Sequence, residues 1–213
     1  MLEKADRDAT LVKELGLSLC CVLNTHVHAD HVTGSGRLRE LCPGAQSAIA
    51  ATSGARADRM LSEGDVVSFG ARHVRVMATP GHTSGCLSFV LDDASAVFTG
   101  DALLIRGCGR TDFQGGSSAD LYDSVTRKLF ALPGGCAVYP AHDYSGCTRS
   151  SIADEKSLNP RLGAGRTLAE FEGIMDALQL PRPKLIDLAV PANLLCGLLG
   201  LAEAATITTD ATK

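Results

Sequence analysis

No stretch of this 213-residue sequence approaches the roughly 20 uninterrupted apolar residues that a membrane-spanning helix needs. The most apolar run, 194–201, is short and broken by Gly197 and Gly200, so a membrane is not an expected partner. A basic excess is missing as well. Twenty lysines and arginines stand against 24 acidic residues, a formal net charge of -4, which offers no electrostatic footprint for DNA or RNA. Eight cysteines are present (Cys20, Cys21, Cys42, Cys86, Cys108, Cys136, Cys147, Cys196), but no two form a CxxC pair. That spacing suggests neither a zinc ribbon nor a disulfide framework and favours a reducing compartment. The opening residues mix Glu3, Asp6, Asp8 and Glu14 with Lys4, Arg7 and Lys13, which fits neither a signal peptide nor an acid-poor transit peptide. No internal repeat is visible.

The length suits a single domain over 1–201, followed by a flexible tail of small polar residues over 202–213. Apolar periodicity predicts a helix over 5–15, a strand over 17–23 and a helix over 36–42 closed by Pro43-Gly44. Strands are expected over 45–50, 66–69, 73–78, 86–91, 96–99 and 136–139. Leu121, Val125, Leu129 and Leu132 recur at helical spacing and predict a helix over 119–132, stopped by Pro133-Gly134-Gly135. A further helix is expected over 167–178, ahead of a proline-punctuated segment. Short strands and irregular links argue against a doubly wound parallel sheet and for an α/β (α+β) sandwich of mixed sheets flanked by helices.

Chemistry concentrates in Thr25-His26-Val27-His28-Ala29-Asp30-His31, where four potential metal ligands fall within six positions directly after an apolar strand. Imidazole with carboxylate suits zinc, iron or manganese. His82, Asp101 and His142 would each pass alone as a polar residue in a turn. All three, however, stand just past the C-terminal end of an apolar strand, the edge at which sheet folds gather ligands. His73 lies inside an alternating strand and reads as structural. From these residues alone, one iron and a two-metal hydrolytic centre are equally open.

The order His26-x-His28-x-Asp30-His31, His82, Asp101, His142 resembles the metallo-β-lactamase superfamily, whose fold is a four-layered αββα sandwich. A finer likeness runs through Thr79-Pro80-Gly81-His82-Thr83, the stretch from Thr99-Gly100-Asp101 to Arg110-Thr111-Asp112-Phe113-Gln114, Tyr139-Pro140-Ala141-His142-Asp143-Tyr144, Leu158-Asn159-Pro160-Arg161 and Val190-Pro191-Ala192-Asn193. These segments are similar to the persulfide dioxygenases of the ethylmalonic encephalopathy type. Against that family the first N-terminal strands are absent, an expectation that implies an exposed sheet edge, a weakened scaffold and room for a homodimer.

The resemblance implies a non-haem iron enzyme that oxidises glutathione persulfide with O2 to sulfite and glutathione. It carries one Fe2+ onto His26, His82 and Asp101, the two-histidine, one-carboxylate triad that leaves positions open for dioxygen and sulfur. His28, Asp30, His31 and His142 become groups that orient those ligands or build a second-metal site. Tyr144, His142 and Asp30 are the implied catalytic groups. Arg110, Arg161 and Tyr144 are the implied contacts to the substrate, whose two carboxylates call for planar cations. Cys108, between two glycines, invites a redox reading, and a small residue packed in a tight loop explains it equally. The compartment implied is the cytoplasm in a bacterium and the mitochondrial matrix in a eukaryote. Two other functions compete: a glyoxalase II type thioesterase that cleaves hydroxyacylglutathione with two metals, and an inactive truncated binding protein.

Overall fold

The computed structural model describes residues 1–198, so the tail expected over 202–213 lies outside them. The chain divides into two compact units, one built from Met1–Ile49, Gly54–Met60 and the segment from Pro181 onward, the other from Ala50–Ser53 and Leu61–Leu180. Among the described residues no helix is long and apolar enough to cross a membrane.

In the first unit, helix α1 (Ala5–Glu14) stops at Gly16, whose φ of 64° is the left-handed cap conformation that costs glycine least. The amides of Gly16 and Leu17 close this cap on the carbonyls of Lys13 and Val12, each at 3.0 Å. The expected strand 17–23 shortens to β1 (Cys21–Leu23), because its parallel partner β2 (Gln46–Ala50) begins opposite Cys21. Helix α2 (Ser35–Leu41) lies between them, and β3 (Arg59–Leu61) completes a three-stranded sheet in the order β1-β2-β3. The described C-terminal segment returns to this unit as a helix the sequence did not announce, named α6 below (Ile186–Leu194). Pro191 inside it reads as a stop because it removes a helical N–H. Burial holds the helix nonetheless: Ala189 and Ala192 pack with Val32 and Leu2, and Val190 and Leu194 with Val27, Ile49 and Ala55.

The second unit is a six-stranded mixed sheet in sequential order: β4 (Val66–Phe69), β5 (Arg72–Ala78), β6 (Leu87–Leu91), β7 (Ala96–Gly100), β8 (Ala137–Pro140) and β9 (Ser150–Ser151). β5 pairs antiparallel with β6, β6 antiparallel with β7, and β7 parallel with β8. Strands β5, β7 and β8 therefore run the same way and finish at the same edge. One face of the sheet presents Met77, Val90, Val97 and Val138 to Leu121, Val125, Leu129, Ile152, Phe171 and Met175, which form the core. Those residues come from α3 (Ser118–Asp123) and the turns after it, α4 (Ile152–Leu158) and α5 (Leu168–Asp176). Each of these helices carries a side-chain N-cap: Ser117 accepts from the Asp120 amide, Ser151 from Asp154, and Thr167 forms a reciprocal capping box with Glu170. The helix expected over 119–132 is three pieces: α3, a π-helical turn at Ser124–Lys128 and a 3-10 turn at Leu129–Ala131.

Candidate metal centre

In the first unit the chain leaves β1 and is pinned at once. The Asn24 amide donates to the Ala48 carbonyl at 2.9 Å, and the Asn24 side chain bonds Ser35 at 2.8 Å and Thr33 at 2.7 Å. Between those anchors the loop turns its histidines together. Ring centroids are 4.0 Å apart for His26 and His28 and 4.3 Å for His28 and His31. His28, Asp30 and His31 offer ligand atoms within 4.8 Å of one another. Nδ1 of His31 lies 3.0 Å from Asp30 Oδ2, and Nδ1 of the nearly buried His26, 2% exposed, lies 3.0 Å from Thr25 Oγ1.

In the second unit the common direction of β5, β7 and β8 brings His82, Asp101 and His142 to one sheet edge. The parallel pairing of β7 with β8 continues one step further, where the Ala141 amide donates to the Gly100 carbonyl at 3.1 Å and sets Asp101 beside His142. His82 is placed by Gly81, whose φ is 131° and whose missing Cβ would stand 2.2 Å from the Leu121 nitrogen. Nδ1 of His82 meets the Arg110 carbonyl at 2.7 Å. A carbonyl only accepts, so Nδ1 is the donor and Nε2 is the nitrogen the neutral ring would offer to a metal, which is how metal-bound histidines are held.

That Nε2 stands 3.5 Å from Asp101 Oδ2, and Nε2 of His142 stands 3.7 Å from Asp101 Oδ1. Both separations exceed a hydrogen bond. They approach the spacing of two ligands on one ion, about 3.0–3.4 Å for donors roughly 2.1 Å from a metal. Imidazole and carboxylate donors at such spacings suit a divalent metal.

The remaining expected residues lie as follows. Tyr144 is 85% exposed, with its ring stacked 6.1 Å from that of His142. The fork of Arg110 is engaged by Asp112, at 2.6 Å from Nε and 2.7 Å from Nη2, and its plane lies over Phe113. The guanidinium holds the Asp112 carboxyl below its ordinary range. Arg161 reaches inward, its Nη1 donating to the Cys108 carbonyl at 2.9 Å. Burial pushes the Cys108 thiol up to about 11 and leaves it packed on Met175, which supports packing over redox chemistry at that residue. His73 sits half-exposed on its strand, 3.8 Å from Asp92.

Three residues organise the loops without having been singled out individually. Asn193 binds the histidine loop, and Glu155 and Asn159 bind the loop after Asp101. None is a metal-ligand type in a cluster; two lie in or near the runs Leu158-Asn159-Pro160-Arg161 and Val190-Pro191-Ala192-Asn193, whose likeness was the available signal.

Strand-end histidines and aspartates on mixed sheets define a class: a model of the metallo-beta-lactamase superfamily matches residues 2–142, and the chain belongs to that superfamily. Persulfide dioxygenase ETHE1, mitochondrial, of Bos taurus is 58% identical over 198 residues, covering 93% of this chain and 77% of the relative. The crystal structure of ETHE1 from Myxococcus xanthus superposes with a TM-score of 0.88 at 53% identity, covering 92% of this chain and 86% of that one. A hydroxyacylglutathione hydrolase of Brucella anthropi is more distant, 36% identical over 189 residues, 85% of this chain and 69% of its own length. Within the superfamily the chain is thus a persulfide dioxygenase of the ETHE1 family, an oxidoreductase with the metallo-β-lactamase fold.

Proposed function

We propose that this chain uses one ferrous ion, held by His26, His82 and Asp101, to oxidise glutathione persulfide with O2. The observation that carries the ligand assignment is the 2.7 Å contact from His82 Nδ1 to the Arg110 carbonyl, which presents Nε2 beside Asp101. Ferrous ion supplies the one-electron chemistry that lets dioxygen react with a sulfur anion. Overall, a persulfide, O2 and water give the thiol, sulfite and two protons. Asp30, His142 and Tyr144 hydrogen-bond the reacting sulfur and the water in this reading. Arg161 and Arg110 meet the two glutathione carboxylates, Arg110 by exchanging its Asp112 partner for the substrate. Residues 1–201 act as one functional domain, and the assembly we propose is a homodimer, to be checked by light scattering. The compartment we propose is the mitochondrial matrix for a eukaryotic source and the cytoplasm for a bacterial one.

The test is metal analysis with oxygen uptake and sulfite release on glutathione persulfide. One iron per chain and activity lost, with most of the iron, in His26→Ala, His82→Ala and Asp101→Ala support the reading. The tight His28, Asp30 and His31 group favours a second reading, a two-metal glutathione thioesterase. Two zincs per chain, with no oxygen uptake after ferrous reconstitution, would establish that instead.

A further inference from the structure

Asn193 is 2% exposed and lies on α6, 165 residues from His28 in the chain, yet its side-chain hydrogen bonds go to the histidine loop. Its Nδ2 donates to the carbonyl of His28 at 2.8 Å and to that of His31 at 2.8 Å, and its Oδ1 accepts from the Thr33 amide at 2.9 Å. The amide orientation is fixed by this arrangement, because two carbonyls require the NH2 end and one N–H requires the oxygen. A second contact comes from the same segment: a Cβ at Gly197 would stand 2.4 Å from the Thr33 carbonyl, so the backbone there rests directly on the loop. Thr33 is tied in turn to Asn24, the residue at which the loop leaves β1.

We infer that Asn193 is a positioning residue for the metal centre. One side chain fixes the peptide units of His28, His31 and Thr33 together, so the His28, Asp30 and His31 side chains keep their spacing, and His26, two residues before His28, keeps its approach. No other natural side chain reproduces it. Aspartate has the shape but cannot donate to two carbonyls, glutamine is a methylene too long for a fully packed site, and serine is too short to span it. The inference rests on the proposed iron site and adds a residue that touches neither metal nor substrate.

Ferrous affinity is to be measured anaerobically by chelator competition on the wild type, Asn193→Asp, Asn193→Ser and the control Ala189→Gly. Ala189 is buried on the same helix and packs on Val32 without a hydrogen bond to the loop, so its variant weakens that apolar contact and leaves the Asn193 bonds in place. Asn193→Asp and Asn193→Ser should bind ferrous ion roughly ten- to a hundred-fold more weakly. With cobalt(II) as an optical stand-in, their visible band should shift in position. Ala189→Gly should melt lower, with unchanged affinity and cobalt spectrum. Unchanged affinity and spectrum in a folded Asn193 variant overturn the inference, and so does a loss in Ala189→Gly as large as in Asn193→Asp. Should neither Asn193 variant fold, hydrogen exchange on the wild type decides: metal loading must slow exchange of the Thr33 amide, because coupling between site and clamp is reciprocal. No slowing refutes the clamp. A wild type that takes up no ferrous ion instead refutes the dioxygenase reading itself.

Discussion

At position 109 a Cβ would stand 2.6 Å from the Asp101 carbonyl and 2.8 Å from His82 Nδ1, while the Gly109 amide already donates to that carbonyl at 2.7 Å. Glycine is required there by the close approach of two proposed ligands. Gly109→Ala should therefore push His82 off the Arg110 carbonyl and weaken iron binding by roughly ten-fold or more, as disturbed outer contacts of metal ligands do. Metal titration of the variant checks this, and full occupancy at wild-type affinity would show that the loop can yield. Cys108, next to it, behaves oppositely. With its thiol pushed up to about 11 by burial, the thiolate fraction at pH 8 is about one in a thousand. Iodoacetamide at that pH should label the exposed Cys20 and Cys147 and spare Cys108, as peptide mass spectrometry would show. The proposed ligands stood out in the sequence as residue types, because histidine and aspartate after an apolar strand have few other uses. Gly109 and Asn193 were not, since their roles lie in contacts that sequence spacing does not reveal.

The chain from Ser118 to Ala131 shows what a helical repeat conveys and what it omits. Leu121, Val125 and Leu129 face the core as their spacing predicts, all fully buried. The repeat carried no sign of the π-helical turn at Ser124–Lys128, because that turn answers to the neighbouring strand end. Ser124 Oγ donates to the Pro80 carbonyl at 2.8 Å, and Lys128 Nζ donates to the Ala78 carbonyl at 2.8 Å. The segment fits itself around the chain leading to His82, and a π turn in such a setting is common near functional sites. Gly81→Ala forces a Cβ to within 2.5 Å of three Leu121 atoms at a φ of 131°. It should cost roughly 3 kcal/mol or more, read as a melting point lower by about 6–12 °C. A variant that melts with the wild type would show that α3 can slide.

Helix α4 escaped the periodicity reading because its organising residue is an acid on the buried side. Glu155 is fully buried and binds the side chain and amide of Arg106, Ser150 Oγ and Asn159 Nδ2. Asn159 passes the grip on to the Gly107 carbonyl at 3.0 Å. Glu155→Ala leaves several of these donors without an acceptor and should destabilise the protein by roughly 3 kcal/mol. Urea unfolding measures it, and a loss under about 1 kcal/mol would mean that water replaces the carboxylate.

Across the whole molecule, the mixed-sheet class and most strands were legible because both depend on alternation and on punctuation by glycine and proline. The returning segment was not, since nothing local says that residues 186–194 join strands near the start of the chain. A metal that binds only the folded protein stabilises it by about 2.7 kcal/mol at a free concentration one hundred times its dissociation constant. Ferrous ion under nitrogen should accordingly raise the melting midpoint, and a chelator should reverse the rise. A midpoint indifferent to both would speak against the proposed site.

The unit that contains the histidine loop is assembled from Met1–Ile49, Gly54–Met60 and the segment from Pro181 onward, while the other joins Ala50–Ser53 to the continuous stretch Leu61–Leu180. On the ribosome these two have different calendars. The continuous unit can fold while synthesis proceeds. The histidine loop must wait, unclamped, until Asn193 has left the exit tunnel, so a nascent chain offers these proposed ligands unshaped before that point and shaped after it. Shaping of the proposed site is thereby tied to the emergence of residue 193, and ribosome-arrested chains stopped before it should release bound ferrous ion far faster than the folded protein.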